Sequence, residues 1–237
     1  MLLKAYVTGA DRGLGLELTR ILLNNAYKVY AGSYLTDWNQ LNELKEKYGD
    51  QLVILPLDVS NDESVTKVAR QIKEDTHYLD LLINNAGIYL NKSGNIFEDL
   101  YFDEMIKMYE VNSLGPLRVT HSVVDLLIKG NYKTLVNISS AAGSIGDCWR
   151  KEEFGYCMTK SALNKQSAIL QNHLSEYGVK VLAIHPGYLR SYMLGQKNME
   201  GDIEPEESAA DIYKLIIEKK DLKQDMYYDY KGNKLPW

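Results

Sequence analysis

The chain has 237 residues, 45% of them hydrophobic, and a formal net charge of -5; this suits one domain with a full core and argues against a nucleic-acid partner. Its two cysteines form no C-x-x-C pair and its four histidines form no ligand cluster, so neither a disulfide framework nor a metal is expected. No apolar run approaches a membrane span, and Leu2-Leu3-Lys4-Ala5-Tyr6-Val7 is too short for a signal peptide's apolar region; the expectation is a cytoplasmic protein with no membrane partner.

A short apolar strand, Lys4 to Val7, runs into Thr8-Gly9-Ala10-Asp11-Arg12-Gly13-Leu14-Gly15, and a helix is predicted from about Leu14 to Asn25. Strand, glycine turn and helix make the front half of a dinucleotide-binding unit. Gly9 permits the tight turn, Gly13 lets the backbone approach a pyrophosphate, and Gly15 lets helix and strand pack closely. The helix N-terminus then offers free N–H groups to the phosphates. Taken alone, the triplet fits an ordinary strand-to-helix turn almost as well. A second strand near Lys28 to Gly32 precedes a helix from about Trp38 to Tyr48. Val53 to Val59 reads as a third strand carrying Asp58, which can accept from an adenine amino group or cap the helix starting near Asp62.

That third helix extends to about Thr76, and Asp80 to Gly87 reads as a fourth strand that stops in Asn84, Asn85, Ala86 and Gly87. Amides at the end of a buried strand need partners; these are expected to brace the sheet and to let Asn85 and Ala86 touch a ribose. A long helical pattern from about Leu100 to Leu127 contains Pro116, which cannot bond the Asn112 carbonyl and leaves that oxygen for a water. By local pattern Asn112 reads as a surface polar residue on an imperfect helix.

A fifth strand, Thr134 to Ile138, delivers Ser139 and Ser140, and the loop Ala141 to Phe154 leads into a helix bearing Tyr156 and Lys160. Four residues apart on a helix, both side chains leave one face. An ammonium about 4 Å from a phenolic oxygen would favour the phenolate by roughly 4 kcal/mol at an effective dielectric near 20, about 3 pK units. Tyr156 would then serve as proton donor and acceptor. The spacing recurs at Tyr227/Lys231 and Tyr230/Lys234, but there it follows a strand-like segment in which four residues span about 13 Å.

A sixth strand, Val179 to Ile184, ends in His185-Pro186-Gly187; a polar loop, a helix from Pro205 to Lys219 and a last strand near Met226 to Asp229 complete the chain. Apolar strands alternating with helices predict an α/β fold: a single-domain Rossmann-type, doubly wound parallel sheet of about seven strands over residues 1–237, with helices on both faces. Ligands bind at the carboxyl ends of such strands. Thr8-Gly9, Asp58, Asn85, Ser140 and Pro186 should therefore line one crevice.

Thr8-Gly9-x-x-x-Gly13-x-Gly15, Asp58-Val59, Asn84-Asn85-Ala86-Gly87, Asn112, Ile138-Ser139-Ser140, Tyr156-x-x-x-Lys160 and Pro186-Gly187 stand in the order and spacing of the short-chain dehydrogenase/reductases, which the whole chain resembles. Tyr156-x-Met158-Thr159-Lys160-x-Ala162-Leu163-Asn164 and Asp229-Tyr230-x-Gly232-x-x-x-Pro236-Trp237 resemble the sniffer-like or C-factor-like carbonyl reductases. The resemblance implies an NAD(P)-dependent oxidoreductase acting on a small carbonyl or alcohol. In that reading Tyr156 is the general acid, Ser140 stabilises the carbonyl oxygen, Lys160 tunes the tyrosine and holds a ribose, and the Asn112 carbonyl anchors a water. It also implies cofactor contacts from Gly9, Asp11, Arg12, Gly13, Leu14, Gly15, Ser33, Tyr34, Asp58 and Val59. Further contacts come from Asn85, Ala86, Gly87, Pro186, Gly187, Leu189 and Ser191.

Ser33 and Tyr34 stand where an acid would select NAD, and Arg12 is a candidate partner for the extra phosphate, so NADP is favoured over NAD. A surface arginine without a ligand is the plain alternative. A homodimer or homotetramer is implied, with a substrate loop at about 188–204. Tyr89, Trp149, Phe154, Tyr188 and Tyr192 are expected either to line an aromatic pocket or to pack elsewhere. A rival reading is a non-catalytic NAD(P)-binding signalling or scaffold protein; the complete Ser140, Tyr156, Lys160 and Asn112 set argues for the enzyme.

Overall fold

The structure is a computed structural model that describes residues 2–35, 37–90, 95–193, 196–219 and 226–237. Seven strands form one sheet: β1 (Lys4–Thr8), β2 (Lys28–Ser33), β3 (Leu52–Pro56), β4 (Leu81–Asn84), β5 (Thr134–Ile138), β6 (Lys180–His185) and β7 (Tyr227–Asp229). Their order is β3-β2-β1-β4-β5-β6-β7, and every neighbouring pair is parallel. Strand order reverses between β1 and β4, so a crevice opens at the carboxyl ends of these two strands.

The strands are apolar on both faces because both faces are covered. Ala5 and Val7 join one core cluster and Tyr6 the other; Leu81 and Ile83 divide from Leu82 in the same way. On the first face lie α1 (Gly13–Asn24), α2 (Gln40–Tyr48) and α7 (Pro205–Lys219), with Leu18, Leu22 and Ile212 sealed in the core. On the second lie α3 (Asp62–Asp75) and α5 (Gly115–Leu127), contributing Val68, Ile72, Val119 and Val123. Each such aliphatic side chain contributes roughly 1.5–3 kcal/mol when fully buried. Also present are α4 (Phe102–Tyr109) and α6 (Phe154–Leu174).

Local chemistry corrects two expectations. The cap of α3 is Asn61, whose Oδ1 accepts the Ser64 N–H at 2.8 Å, and not Asp58, which lies two residues beyond the end of β3. The long helix predicted over 100–127 is split: Glu110–Leu114 is a π turn between α4 and α5, and the Gly115 N–H bonds the Glu110 carbonyl. Pro116 has no N–H, and the wider turn absorbs the change in hydrogen-bond register that it imposes.

Candidate active site

The glycine turn is fixed from two sides. Gly9 and Gly13 adopt φ of +63° and +55°, and a Cβ on Gly15 would stand 2.0 Å from the Gly9 carbonyl oxygen. Asn85 Nδ2 donates to the carbonyls of Thr8 at 3.0 Å and Gly9 at 2.9 Å, while Thr8 Oγ1 accepts the N–H groups of Asn85 and Ala86. The neighbouring Asn84 amide braces the sheet instead, donating to Pro116 O, Thr120 Oγ1 and Asn137 Oδ1. No side chain caps α1, so its first N–H groups face the cleft ahead of it.

That cleft, about 380 Å³, is bordered by Gly9, Asp11, Arg12, Gly13 and Leu14 at one end. Tyr34, Asp58 and Val59 enter from the ends of β2 and β3, and Asn85, Ala86 and Gly87 from the end of β4. Tyr156 and Lys160 come from α6; Pro186, Leu189 and Ser191 follow β6. Of the strand-end residues expected to converge, Gly9, Asp58, Asn85 and Pro186 line the cleft; at the end of β5 it is Ser139 and not Ser140 that borders it, and Thr8 lies behind the turn. Gly15 lies behind the turn, and Gly187, at φ +88°, packs on Ile203 and Tyr230. Ser33 belongs to an adjoining hollow of about 630 Å³ and donates to Leu35 O at 3.1 Å.

Asp11 Oδ1 accepts the Tyr34 N–H at 3.2 Å, tying the glycine turn to the end of β2, and burial raises the pKa of its carboxyl. The Arg12 guanidinium lies over the Trp38 ring, 5.3 Å from its centroid, and Tyr192 meets the same ring edge-on at 4.8 Å. Asp58 Oδ1 accepts from the Ser60 N–H and hydroxyl at 2.9 and 2.6 Å. No sequence motif signals Trp38, because its contact with Arg12 exists only once β2 has folded beside β1.

At the other end the two serines divide their work. Ser139 is buried and donates to Asn164 Oδ1 at 2.6 Å. Ser140 opens a short turn, its Oγ accepts the Ala142 N–H at 3.1 Å, and its side chain acts to lower the pKa of the Tyr156 phenol. Burial pushes Tyr156 up to about 12 against this opposing influence of Ser140. Glu153 and Cys157 push it the same way and Arg150 opposes them.

The expected close coupling of Lys160 to the phenol is not formed in this structure. Lys160 Nζ donates to the Ile138 carbonyl at 2.9 Å and stands 5.7 Å from the Tyr156 ring centroid. Burial lowers its pKa to about 8. The half-buried Tyr156 and the buried Lys160 thus move apart in pKa through desolvation, whereas charge pairing was expected to lower that of the tyrosine.

Asn112 is fully buried, contrary to its surface reading. Its Oδ1 accepts the Ile88 N–H and its Nδ2 donates to Ile88 O, both at 2.8 Å, with Thr159 Oγ1 at 3.2 Å. A Cβ on Gly87 would meet Asn112 Oδ1 at 3.4 Å and Lys160 Nζ at 3.8 Å, so these three residues crowd one point.

The aromatic residues do not form one pocket. Tyr89 alone meets Tyr156, edge-on at 5.1 Å, and its hydroxyl donates to Glu153 Oε1 at 2.9 Å. Trp149 and Tyr188 are exposed, Tyr192 turns to Trp38, and Phe154 opens α6. Glu153, which also pairs with Arg150 at 3.0 Å, precedes α6 at φ +63°, a left-handed conformation for a non-glycine residue beside the centre. Sequence reading did not single out Glu153. Among the described residues there is no cluster of three metal-ligating side chains.

A family model described as short chain dehydrogenase matches residues 4–202. An uncharacterized oxidoreductase of Schizosaccharomyces pombe is 27% identical over 256 residues, covering 98% of this chain and 97% of its own. Retinol dehydrogenase 7 of Mus musculus is 33% identical over 201 residues, 84% of this chain and 60% of that protein. Among solved structures, an NADPH-bound carbonyl reductase from chicken fatty liver superposes with TM-score 0.86 at 28% identity, over 100% of this chain and 99% of that one. The carbonyl reductase Sniffer of D. melanogaster shares the fold, with TM-score 0.89 over 100% of both chains at 24% identity.

Proposed function

Because this chain belongs to the short-chain dehydrogenase family, as an NAD(P)-dependent oxidoreductase of carbonyl and alcohol substrates, we propose that it is an NADPH-dependent carbonyl reductase. The observation that carries the reading is Tyr156 and Lys160 lining one cleft with the glycine turn and the uncapped helix N-terminus, with Ser140 near enough to the phenol to lower its pKa. Glycines at close approach and free N–H groups suit a pyrophosphate. When bound, the dinucleotide supplies the hydride.

Ser140 holds the substrate's carbonyl oxygen and Tyr156 donates the proton to it. A phenol pushed up to about 12 stays protonated at neutral pH, the form that reduction requires. Lys160, in the ammonium form below about 8 and bonded to the Ile138 carbonyl, would hold the ribose hydroxyls of a bound dinucleotide and supply the replacement proton to Tyr156. Asn112 keeps the Ile88 backbone and the Lys160 neighbourhood in place. Arg12, spread on Trp38, would hold the phosphate that distinguishes NADP.

Residues 188–204 form the substrate loop, of which 194 and 195 lie outside the described residues. Leu117 on α5, with Met158 and Ile169 on α6, leaves apolar side chains exposed and supports a homodimer or homotetramer. Two free thiols, Cys148 and Cys157, support a reducing, cytoplasmic setting. Among the described residues no helix is long and apolar enough to cross a membrane. The experiment is a screen of aldehydes, ketones and quinones with NADPH and NADH. Turnover with NADPH is expected, and cofactor binding without turnover of any of them would refute the reading.

A further inference from the structure

A second layer stands behind the serine turn, supplied by a part of the chain far from it in sequence. The Tyr227 hydroxyl donates to the Ser140 carbonyl at 2.5 Å, and its ring is buried and stacked on Trp237 with centroids 5.3 Å apart and planes at 22°. A tight turn places Trp237 there: Gly232, at φ +86°, donates to Asp229 O at 3.0 Å, and the Leu235 N–H returns to Tyr227 O at 2.9 Å. Pro236 and Trp237 then hold the segment after the turn. Ser144 Oγ donates to Pro236 O at 2.7 Å and the Gly146 N–H to Trp237 O at 2.6 Å.

From the other side α6 grips the same turn. Asn164 takes the Ser139 hydroxyl and donates to Gly143 O at 3.1 Å, and Ser161 donates to the same carbonyl at 3.1 Å. Residues 139–146 are thus clamped between α6 and the β7 hairpin. The Ser140 carbonyl accepts the Gly143 N–H at 2.9 Å from within the turn and the Tyr227 hydroxyl from outside it, while its Oγ accepts the Ala142 N–H and lies on the side of Tyr156.

We propose that Tyr227, backed by Trp237, is a positioning residue that sets the orientation of Ser140 and, through the Ser144 and Gly146 bonds, fixes the substrate-side wall that follows it. The inference rests on the reading of Ser140 as the group that holds the carbonyl oxygen. It assigns a role in activity to the Asp229-to-Trp237 segment, which otherwise reads as an edge-strand hairpin. A group held within a fraction of an ångström reaches the reacting atom at full strength; a looser one does not.

The test is a double-mutant cycle on kcat with Tyr227→Phe, Ser140→Ala and both together, accompanied by amide exchange of residues 139–146 in the unliganded protein. Tyr227→Phe keeps the stacked ring and removes one hydrogen bond. A loss of roughly tenfold in kcat is expected, with the NADPH dissociation constant within twofold and faster exchange at the turn. In the Ser140→Ala background the same substitution should cost less than twofold, because its effect runs through the serine. Trp237→Phe, which leaves β7 intact, should give a smaller loss in the same direction. Unchanged kcat and exchange in Tyr227→Phe would overturn the proposal, as would a full tenfold loss retained without Ser140. If Ser140→Ala turns over normally, the serine's catalytic role fails instead, and the exchange rates alone decide whether Tyr227 holds the turn.

Discussion

The Lys160 ammonium is bonded to the Ile138 carbonyl at 2.9 Å, at the end of β5 and beside Gly87, and not to the Tyr156 phenol. A cation so buried keeps its charge only while that contact, or a better one, offsets desolvation; its pKa is lowered to about 8. Losing the ammonium removes the charge that the cofactor's ribose and phosphates would meet. NADPH affinity is therefore expected to be full below pH 8 and to fall as pH rises through it, measured by fluorescence titration. Lys160→Met should bind weakly and show no such step. An affinity flat from pH 7 to 10 in the wild-type protein would contradict the assignment.

Arg12 over Trp38 makes a prediction about cofactor choice. A charge-assisted bond to phosphate is worth about 1.5–3 kcal/mol, so Arg12→Ala should weaken NADPH by roughly 10- to 150-fold and leave NADH within about threefold. Titrating both dinucleotides against both proteins checks it. Equal losses for the two would assign Arg12 to the pyrophosphate instead.

His185 ends β6 with a buried, unpartnered Nδ1, and its pKa is lowered to about 4. Burial is the main cause; Arg150 and Lys160 push the same way and Asp229 opposes them. The unfolded chain binds this proton near pH 6.5 and the folded one only near 4, so stability is complete above 6.5 and declines as pH falls through that window. The decline attributable to this residue is at most roughly 3 kcal/mol. Urea unfolding at pH 7 and pH 4.5 should show a shallower acid loss in His185→Gln. Identical losses would exclude His185 as the origin.

Strand and helix identities were legible in the sequence because each rests on local periodicity: β5 runs from Thr134 to Ile138 as predicted, and α7 from Pro205 to Lys219. The meeting of Gly9, Asp58, Asn85 and Pro186 was legible too, since parallel-sheet topology brings strand ends together, whereas the expected Thr8 and Ser140 do not line the cleft. What local pattern missed depends on contacts distant in sequence. Asn112 looks like a surface amide until Ile88 and Thr159 close over it, and the pKa values of Tyr156 and Lys160 follow burial that helical spacing alone does not reveal. The clasp of Trp237 on Tyr227 needs the Gly232 turn and the seventh strand together.

The central claim is that the Tyr156 phenol delivers the proton as hydride reaches the carbonyl carbon. Tyr156→Phe keeps the ring against Tyr89 and removes only the hydroxyl. Single-turnover oxidation of bound NADPH by a reducible carbonyl, followed by absorbance, measures that step alone. The account predicts a loss of at least about 100-fold in rate with NADPH affinity within about twofold of wild type; a rate within threefold of wild type would contradict it.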